Sequence, residues 1–308
     1  MWPITLSKIH ADINTTAQSP SDMNINTIVR RRQVIRGLGV AVTAPLLLSV
    51  AGCGGTDSGT DNSVAGDSSI DDDTQSSGTN TTQWASGGTA AMEAVFPPET
   101  DPFVTGLGNL CQITEAFTIG PCFFDVDDER DDISEGEPGV PMTLAMKLVD
   151  NNCQPIENAQ IEVWWCNSEG VYSGDDSDSR GDFNTGFCTG NESDALSARW
   201  FRGIKTTDSV GNVYFKACFP GWYRGRTTHI HFRIVVDGTQ QLVSQFCFDD
   251  DLCNDIYENH SDYTGQEKDT SNSSDNVFNS NYQDYIFEVE EQWDRSMLAY
   301  KAIQVDIN

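Results

Sequence analysis

Two of the chain's four histidines stand one residue apart in GWYRGRTTHIHF, residues 221–232, six residues after Tyr223 and with Arg224 and Arg226 in between. On a β-strand, side chains return to the same face at every second residue, so His229 and His231 share a face and Ile230 takes the other. Two imidazoles on one face can hold a cation, but such a site needs further donors. Tyr223 offers a phenol oxygen, and Tyr172 in EGVYSG, at the end of another predicted strand, offers a second. Phenolate is a hard, anionic donor that suits a trivalent cation, Fe(III) above all, better than zinc or Cu(I). The competing explanation is local structure: Tyr223 would then be a sandwich tyrosine with its hydroxyl on a backbone carbonyl.

The elements that must position these residues read as short strands between turn signals. They cover residues 142–150, 159–166, 201–208, 212–219, 228–236 and 242–248, separated by Asn-Asn, Ser-Glu-Gly, Ser-Val-Gly and Asp-Gly-Thr. Strands this short and regular predict an all-β fold, an antiparallel β-sandwich. Trp164 and Trp165 alternate faces, so one belongs in the core and the other outside it or against a loop. Residues 168–198 are polar and long for a connection, which is typical of a functional loop. Residues 283–303 fit a helix or a strand equally well.

The N-terminus reads as an export signal rather than a folded domain. Arg31 and Arg32 precede Gln33, Val34, Ile35 and Arg36, the twin-arginine pattern, and an uncharged run follows that ends in VAGC. Small residues before a cysteine resemble a lipoprotein cleavage box with Cys53 as the lipidated residue. A transmembrane anchor is the alternative, but the run is broken by glycines and a proline. The expected organisation is therefore a signal over residues 1–52, a disordered Ser/Gly/Thr/Asp linker over 53–92, and one domain over 93–308. The protein is expected to be exported, as a periplasmic or cell-surface lipoprotein of a bacterium. Its contact with membrane would be only through that lipid.

The formal net charge is −29; without residues 1–53 it is −32, from 13 basic and 45 acidic residues. Such a balance excludes nucleic acid as a partner. Apart from Cys53 the chain has eight cysteines, an even number that suggests disulfides in an exported protein. None is spaced as a CxxC zinc pair.

Five blocks in order over residues 111–248 resemble the intradiol ring-cleavage dioxygenases, the catechol and protocatechuate 3,4-cleaving family, and especially their exported single-domain members. They are TIGPCFF, RDDISEGEPGVPMTLAMKLVD, AQIEVWWCNSEGVYSG, FRGIKTTDSVGNVYFKACFPGWYRGRTTHIHF and VSQFCF. The resemblance implies an oxidoreductase with one non-haem Fe(III) per chain that cleaves a catecholic ring with O2 to a cis,cis-muconate-type diacid. It implies Tyr172, Tyr223, His229 and His231 as metal ligands, with Tyr223 also acting as a base when substrate displaces it. Arg226 and Gln245 would be catalytic, Arg226 lying over the substrate ring, and Thr118, Gly120 and Pro121 would line the pocket. Cys122 replaces the aromatic residue usual after Gly-Pro and is expected in a disulfide. No role is expected for Arg224 beyond surface charge, Arg202 is expected in an ion pair, and His260 is expected to be exposed. Two rivals remain: an exported binding sandwich that keeps the fold without chemistry, and a copper or zinc hydrolase built on His229 and His231.

Overall fold

The period-two patterns fold into two stacked sheets. The structure, a computed structural model, describes residues 83–104, 112–127, 129–174, 183–263 and 265–307. The expected signal, Cys53 and the linker up to residue 82 lie outside the described residues. The strands are β1 (Pro141–Val149), β2 (Gln160–Trp164), β3 (Arg202–Thr206), β4 (Asn212–Cys218), β5 (His229–Val236), β6 (Thr239–Cys247), β7 (Glu288–Glu291) and β8 (Met297–Gln304). They form one sheet in the order β4-β1-β8-β7 and another in the order β3-β2-β5-β6. The six predicted strands are all present, and the ambiguous segment 283–303 becomes mainly the β7–β8 hairpin. One pairing departs from the antiparallel expectation: β1 and β8 run parallel, from Met142↔Met297 to Val149↔Gln304.

Alternation decides what each sheet buries. Met142, Leu144, Met146 and Leu148 of β1 join Ile161, Val163 and Trp165 of the β2 segment and Ile230, Phe232 and Ile234 of β5 in one core. Every residue of β1 is buried, because Ala145 on its other face is covered by Phe103 and Leu298. Trp165 enters the core, whereas Trp164 turns outward into a second cluster with Cys122, Tyr172 and Cys188. The outer face of the β3-β2-β5-β6 sheet is therefore buried too, under loops rather than under another sheet.

Three local features depart from the sequence expectations. Residues 83–92, expected in the linker, pack on the domain: Trp84 enters the core, Ala85 N–H donates to Arg295 O at 2.9 Å, and Gly88 N–H donates to Gly139 O at 3.0 Å. His260 is half-buried rather than exposed, with Nε2 2.9 Å from Ala85 O. After β6 the chain forms a helix (Asp250–Asn259), whose first turn is capped by the Asp249 side chain and which buries Cys253, Ile256 and Tyr257. Among the described residues no helix is long and apolar enough to cross a membrane.

Cys122 and Cys188 form a disulfide, and Cys153 is also disulfide-bonded. Pairing of all the domain cysteines does not occur: Cys166, Cys218, Cys247 and Cys253 are buried free thiols. Burial raises the pKa of each, that of Cys166 to about 12, so they behave as small core hydrophobes rather than nucleophiles. The Cys122–Cys188 bridge spans a sequence separation of 66, so it removes much freedom from the unfolded chain. Cys188→Ser is expected to cost about 2–4 kcal/mol, hence to lower the midpoint of thermal unfolding by roughly 4–15 °C. Identical melting of variant and parent would show that the bridge contributes nothing.

Candidate functional site

Strand register builds one wall of the site. Trp164 on β2 lies opposite Arg202 on β3 and His231 on β5, and His231 lies opposite Gln245 on β6. Arg202, Trp164, His231 and Gln245 thus form a single row across the outer face of the sheet. Trp164 stacks on His231 with ring centroids 5.0 Å apart and planes 13° from parallel, which fixes the imidazole. His229 follows the same alternation one step along β5. Pairing across strands, not spacing within one, brings these four strands' side chains together.

Two loops bring the tyrosines. The turn after β2, residues 167–170, and the segment after β4, residues 219–223, press against each other through glycine. A Cβ on Gly170, whose φ is +81°, would lie 2.2 Å from Trp222 O, and one on Gly221 would lie 2.3 Å from Asn167 O. Only glycine permits that approach, and it sets the Tyr172 and Tyr223 rings edge to face at 5.8 Å.

The donor atoms converge. His229 Nδ1 is 2.6 Å from Thr227 O. A carbonyl only accepts, so the proton sits on Nδ1 and Nε2 presents its lone pair. That Nε2 is 3.1 Å from His231 Nε2 and 3.3 Å from Tyr223 Oη. Tyr172 is 2 % exposed, and among the described residues its hydroxyl interacts with that of Tyr223 too loosely to count as a formed hydrogen bond. A buried hydroxyl held this loosely costs stability unless something else occupies its lone pairs. Tyr223 bonds at a histidine rather than at a backbone carbonyl, so the sandwich-tyrosine alternative does not describe it.

Electrostatics agree with a cation site. Burial pulls the His229 pKa down to about 3, helped by Arg226, and that of His231 well below the usual histidine value, helped by His229. Both rings are neutral with lone pairs available. Burial raises Tyr172 well above the usual phenol range and Tyr223 to about 12, although Arg226 acts in the opposite sense on both. A highly charged cation reverses that balance by stabilising phenolate directly. Two phenol oxygens and two neutral imidazoles fit a hard trivalent ion. Among the described residues no group of three or more His, Cys, Asp and Glu is placed to hold a metal ion.

Arg226 is held from three sides. Its Nε donates to Asp275 Oδ2 at 2.8 Å, its Nη2 donates to Gln245 Oε1 at 2.6 Å, and its Nη1 is 3.4 Å from His229 Nε2. Gln245 Nε2 in turn donates to Thr118 O at 2.8 Å. Asp275 is buried and accepts also from Thr227 N–H at 2.9 Å. It belongs to a strap, residues 268–275, that grips the histidine loop from outside: Lys268 Nζ donates to Thr227 Oγ1 at 2.8 Å, and Gly225 N–H donates to Asp269 Oδ1 at 3.0 Å. Sequence reasoning did not single out Asp275. It sits in KDTSNSSDNVF, one acid among many, with no local signature.

The segment 118–122 crosses the open side. A Cβ on Gly120 would lie 3.2 Å from His231 Cε1, so the backbone rests on the His231 ring. Cys122 then ties this segment to Cys188 in α1 (Thr185–Thr189), and Asn184 N–H donates to Pro121 O at 2.9 Å. Among the described residues Arg202 has no carboxylate within ion-pair distance, although Glu162 acts on it from farther off. It is fully buried, its Nε and Nη2 donate to Ser173 O and Oγ and to Cys122 O, and its guanidinium carbon lies 4.0 Å from the Phe124 ring centre. It braces the Tyr172 loop against the 118–122 segment. Arg224 is exposed.

A pH dependence follows from the two histidines. Their folded pKa values lie below the unfolded 6.5, so the unfolded chain takes up protons that the fold refuses. Stability is then fully present above about 6.5 and falls as pH drops toward the folded values, by up to about 1.4 kcal/mol per pH unit for each ring. Metal-free protein is expected to melt at progressively lower temperature from pH 7 to pH 5, and His231→Gln is expected to flatten the slope. Equal slopes for parent and variant would contradict the buried, neutral state of His231.

The chain is similar to known proteins. The family model Dioxygenase_C, described as Dioxygenase, matches residues 120–289, which include every residue of the site except Thr118. The chain is 28% identical over 117 residues to catechol 1,2-dioxygenase of Candida albicans, covering 32% of this chain and 33% of that protein. It is 22% identical over 157 residues to chlorocatechol 1,2-dioxygenase of Pseudomonas putida, covering 43% and 50%. The matches thus span between a third and half of these curated relatives. An intradiol ring-cleavage dioxygenase structure from Tetranychus urticae superposes with a TM-score of 0.55 at 27% identity, covering 64% of this chain and 95% of that one.

Proposed function

Because this chain belongs to the intradiol ring-cleavage dioxygenase family, we propose that it opens the aromatic ring of a catechol between the two hydroxylated carbons with O2, giving a cis,cis-muconate-type diacid. The observation that carries the proposal is the convergence of His229 Nε2, His231 Nε2 and Tyr223 Oη beside the loosely held hydroxyl of Tyr172. These four residues would hold one Fe(III) per chain. A binding sandwich without chemistry would have no use for them.

When bound, the iron supplies the Lewis acidity that makes a catechol dianion reactive toward O2. The chain's own groups do the rest. Tyr223 is the less deeply set of the two tyrosines, and as a phenolate it would take one catechol proton. Arg226 points Nη1 at the same spot as His229 Nε2, where it offsets negative charge building on the ring. It arrives pre-oriented because Asp275 and Gln245 occupy its other nitrogens. Thr118, Gly120 and Pro121 would bound the substrate and exclude water on the open side.

We place the protein outside the cytoplasm. The twin-arginine pattern and Cys53 provide the route and the lipid anchor, and the Cys122–Cys188 bridge suits an oxidising compartment. Catechol turnover under ¹⁸O2 tests the activity. The diacid is expected to carry two labelled oxygens per molecule; a product with one label or none would mean a different reaction.

A further inference from the structure

The ring-cleavage proposal leaves the substituent on the catechol open, and the mouth of the site bears on it. Resting on that proposal, we infer that the substrate is a catechol with an apolar ring substituent, and that Phe187 and Ile119 select it. Phe187 is one of few large apolar side chains left in water, 55% exposed, and it stands edge to face with Tyr223, centroids 5.9 Å apart and planes at 89°. Ile119 is 36% exposed and lies between two anchored points, Thr118 on Gln245 and Gly120 on His231. One residue flanks the tyrosine that substrate would displace, and the other rides the segment that crosses the metal-binding face.

Phe187 is not a stray surface residue. It sits in α1, whose next residue, Cys188, is bonded to Cys122 of the opposite wall, while the Asn184 side chain accepts from Phe187 N–H. The bridge ties the segment that carries Phe187 to the one that carries Ile119. Cys122 itself faces no substrate, since both its sulfur and its carbonyl are engaged, the latter by Arg202.

Charge points the same way. Arg226, beside His229, is already paired with Asp275, and the net charge of −29 repels anionic substrates from the surroundings. A ring carboxylate set against Phe187 and Ile119 would lose part of its hydration to two side chains that offer it no hydrogen bond. An alkyl group would cover both side chains. A well-covered methylene changes specificity about 10–200-fold, and a half-open rim belongs at the low end of that range.

Iron-loaded protein is tested with catechol, 4-isopropylcatechol and 3,4-dihydroxybenzoate. The alkyl catechol is expected to exceed the benzoate in kcat/KM by at least about tenfold. Phe187→Ala is expected to shrink that ratio severalfold and Phe187→Leu to keep most of it, with the catechol-induced visible spectrum intact in both. Preference for the benzoate, or a ratio unchanged in Phe187→Ala, overturns the inference. If the benzoate preference disappears in Arg224→Ala, the exposed arginine holds its carboxylate instead. Cleavage of none of the three, by protein that holds iron, would overturn the ring-cleavage proposal itself rather than the rim alone.

Discussion

Tyr172→Phe is expected to make the metal-free fold more stable while sharply weakening iron binding. The side chain is 2 % exposed and its hydroxyl makes no fully formed hydrogen bond among the described residues. Deleting that hydroxyl removes a buried unsatisfied group, which is worth about 1–3 kcal/mol, or a rise of roughly 2–12 °C in the unfolding midpoint. The ring keeps its edge-to-face contact with Tyr223, so packing changes little. Iron affinity is expected to fall by more than the roughly 100-fold that loss of a ligand's hydrogen-bond partner costs. Calorimetry of metal-free protein and an iron-binding titration read the two effects separately. A structural tyrosine would give the opposite pair: lower stability and unchanged iron binding. The opposed signs matter because residues kept for function at the expense of stability are what a working site leaves behind.

Arg226→Lys is expected to lower kcat by about 100- to 1000-fold with iron retained. Lysine preserves the charge but cannot reproduce the fork that reaches Asp275, Gln245 and the His229 side of the site at once. A point charge on a flexible stem would either pair with buried Asp275 or face the substrate. KM is expected to change less than kcat, because the guanidinium acts on charge that develops during the reaction rather than on the bound catechol. Steady-state kinetics on metal-replete variant decides it. A kcat within threefold of the parent would remove Arg226 from the catalytic group and leave it a structural cation for Asp275.

The parts of this site that were legible in the sequence are those set by local periodicity or by contiguous motif. His229 and His231 had to share a face because the strand repeats every two residues, and Tyr172, Tyr223 and Arg226 lie in blocks with family spacing. The six predicted strands formed for the same reason. What stayed hidden depends on contacts between distant segments. Asp275 reaches Arg226 from a loop of serines, asparagines and aspartates that reads as solvated surface. Arg202 looked like an ion-pair partner because a buried arginine usually finds a carboxylate, yet two carbonyls, a hydroxyl and the Phe124 ring hold it. Trp164 became part of the site only once β2 paired with β5 and set it over His231. The parallel pairing of β1 with β8 joins the two ends of the domain, and no turn signal announces such a pairing. The even cysteine count misled because free cysteine is also a good core residue, and four of the eight serve as that.

The most direct test is the visible absorption spectrum of iron-loaded protein before and after anaerobic addition of catechol. Two tyrosinates on Fe(III) give a phenolate-to-iron charge-transfer band in the visible, and binding of catechol to the same ion moves it to longer wavelength. Both changes are expected here, with the band weakened in Tyr172→Phe. Protein that holds one iron per chain and stays colourless would contradict the assignment of Tyr172 and Tyr223 as ligands, and with it the proposed chemistry.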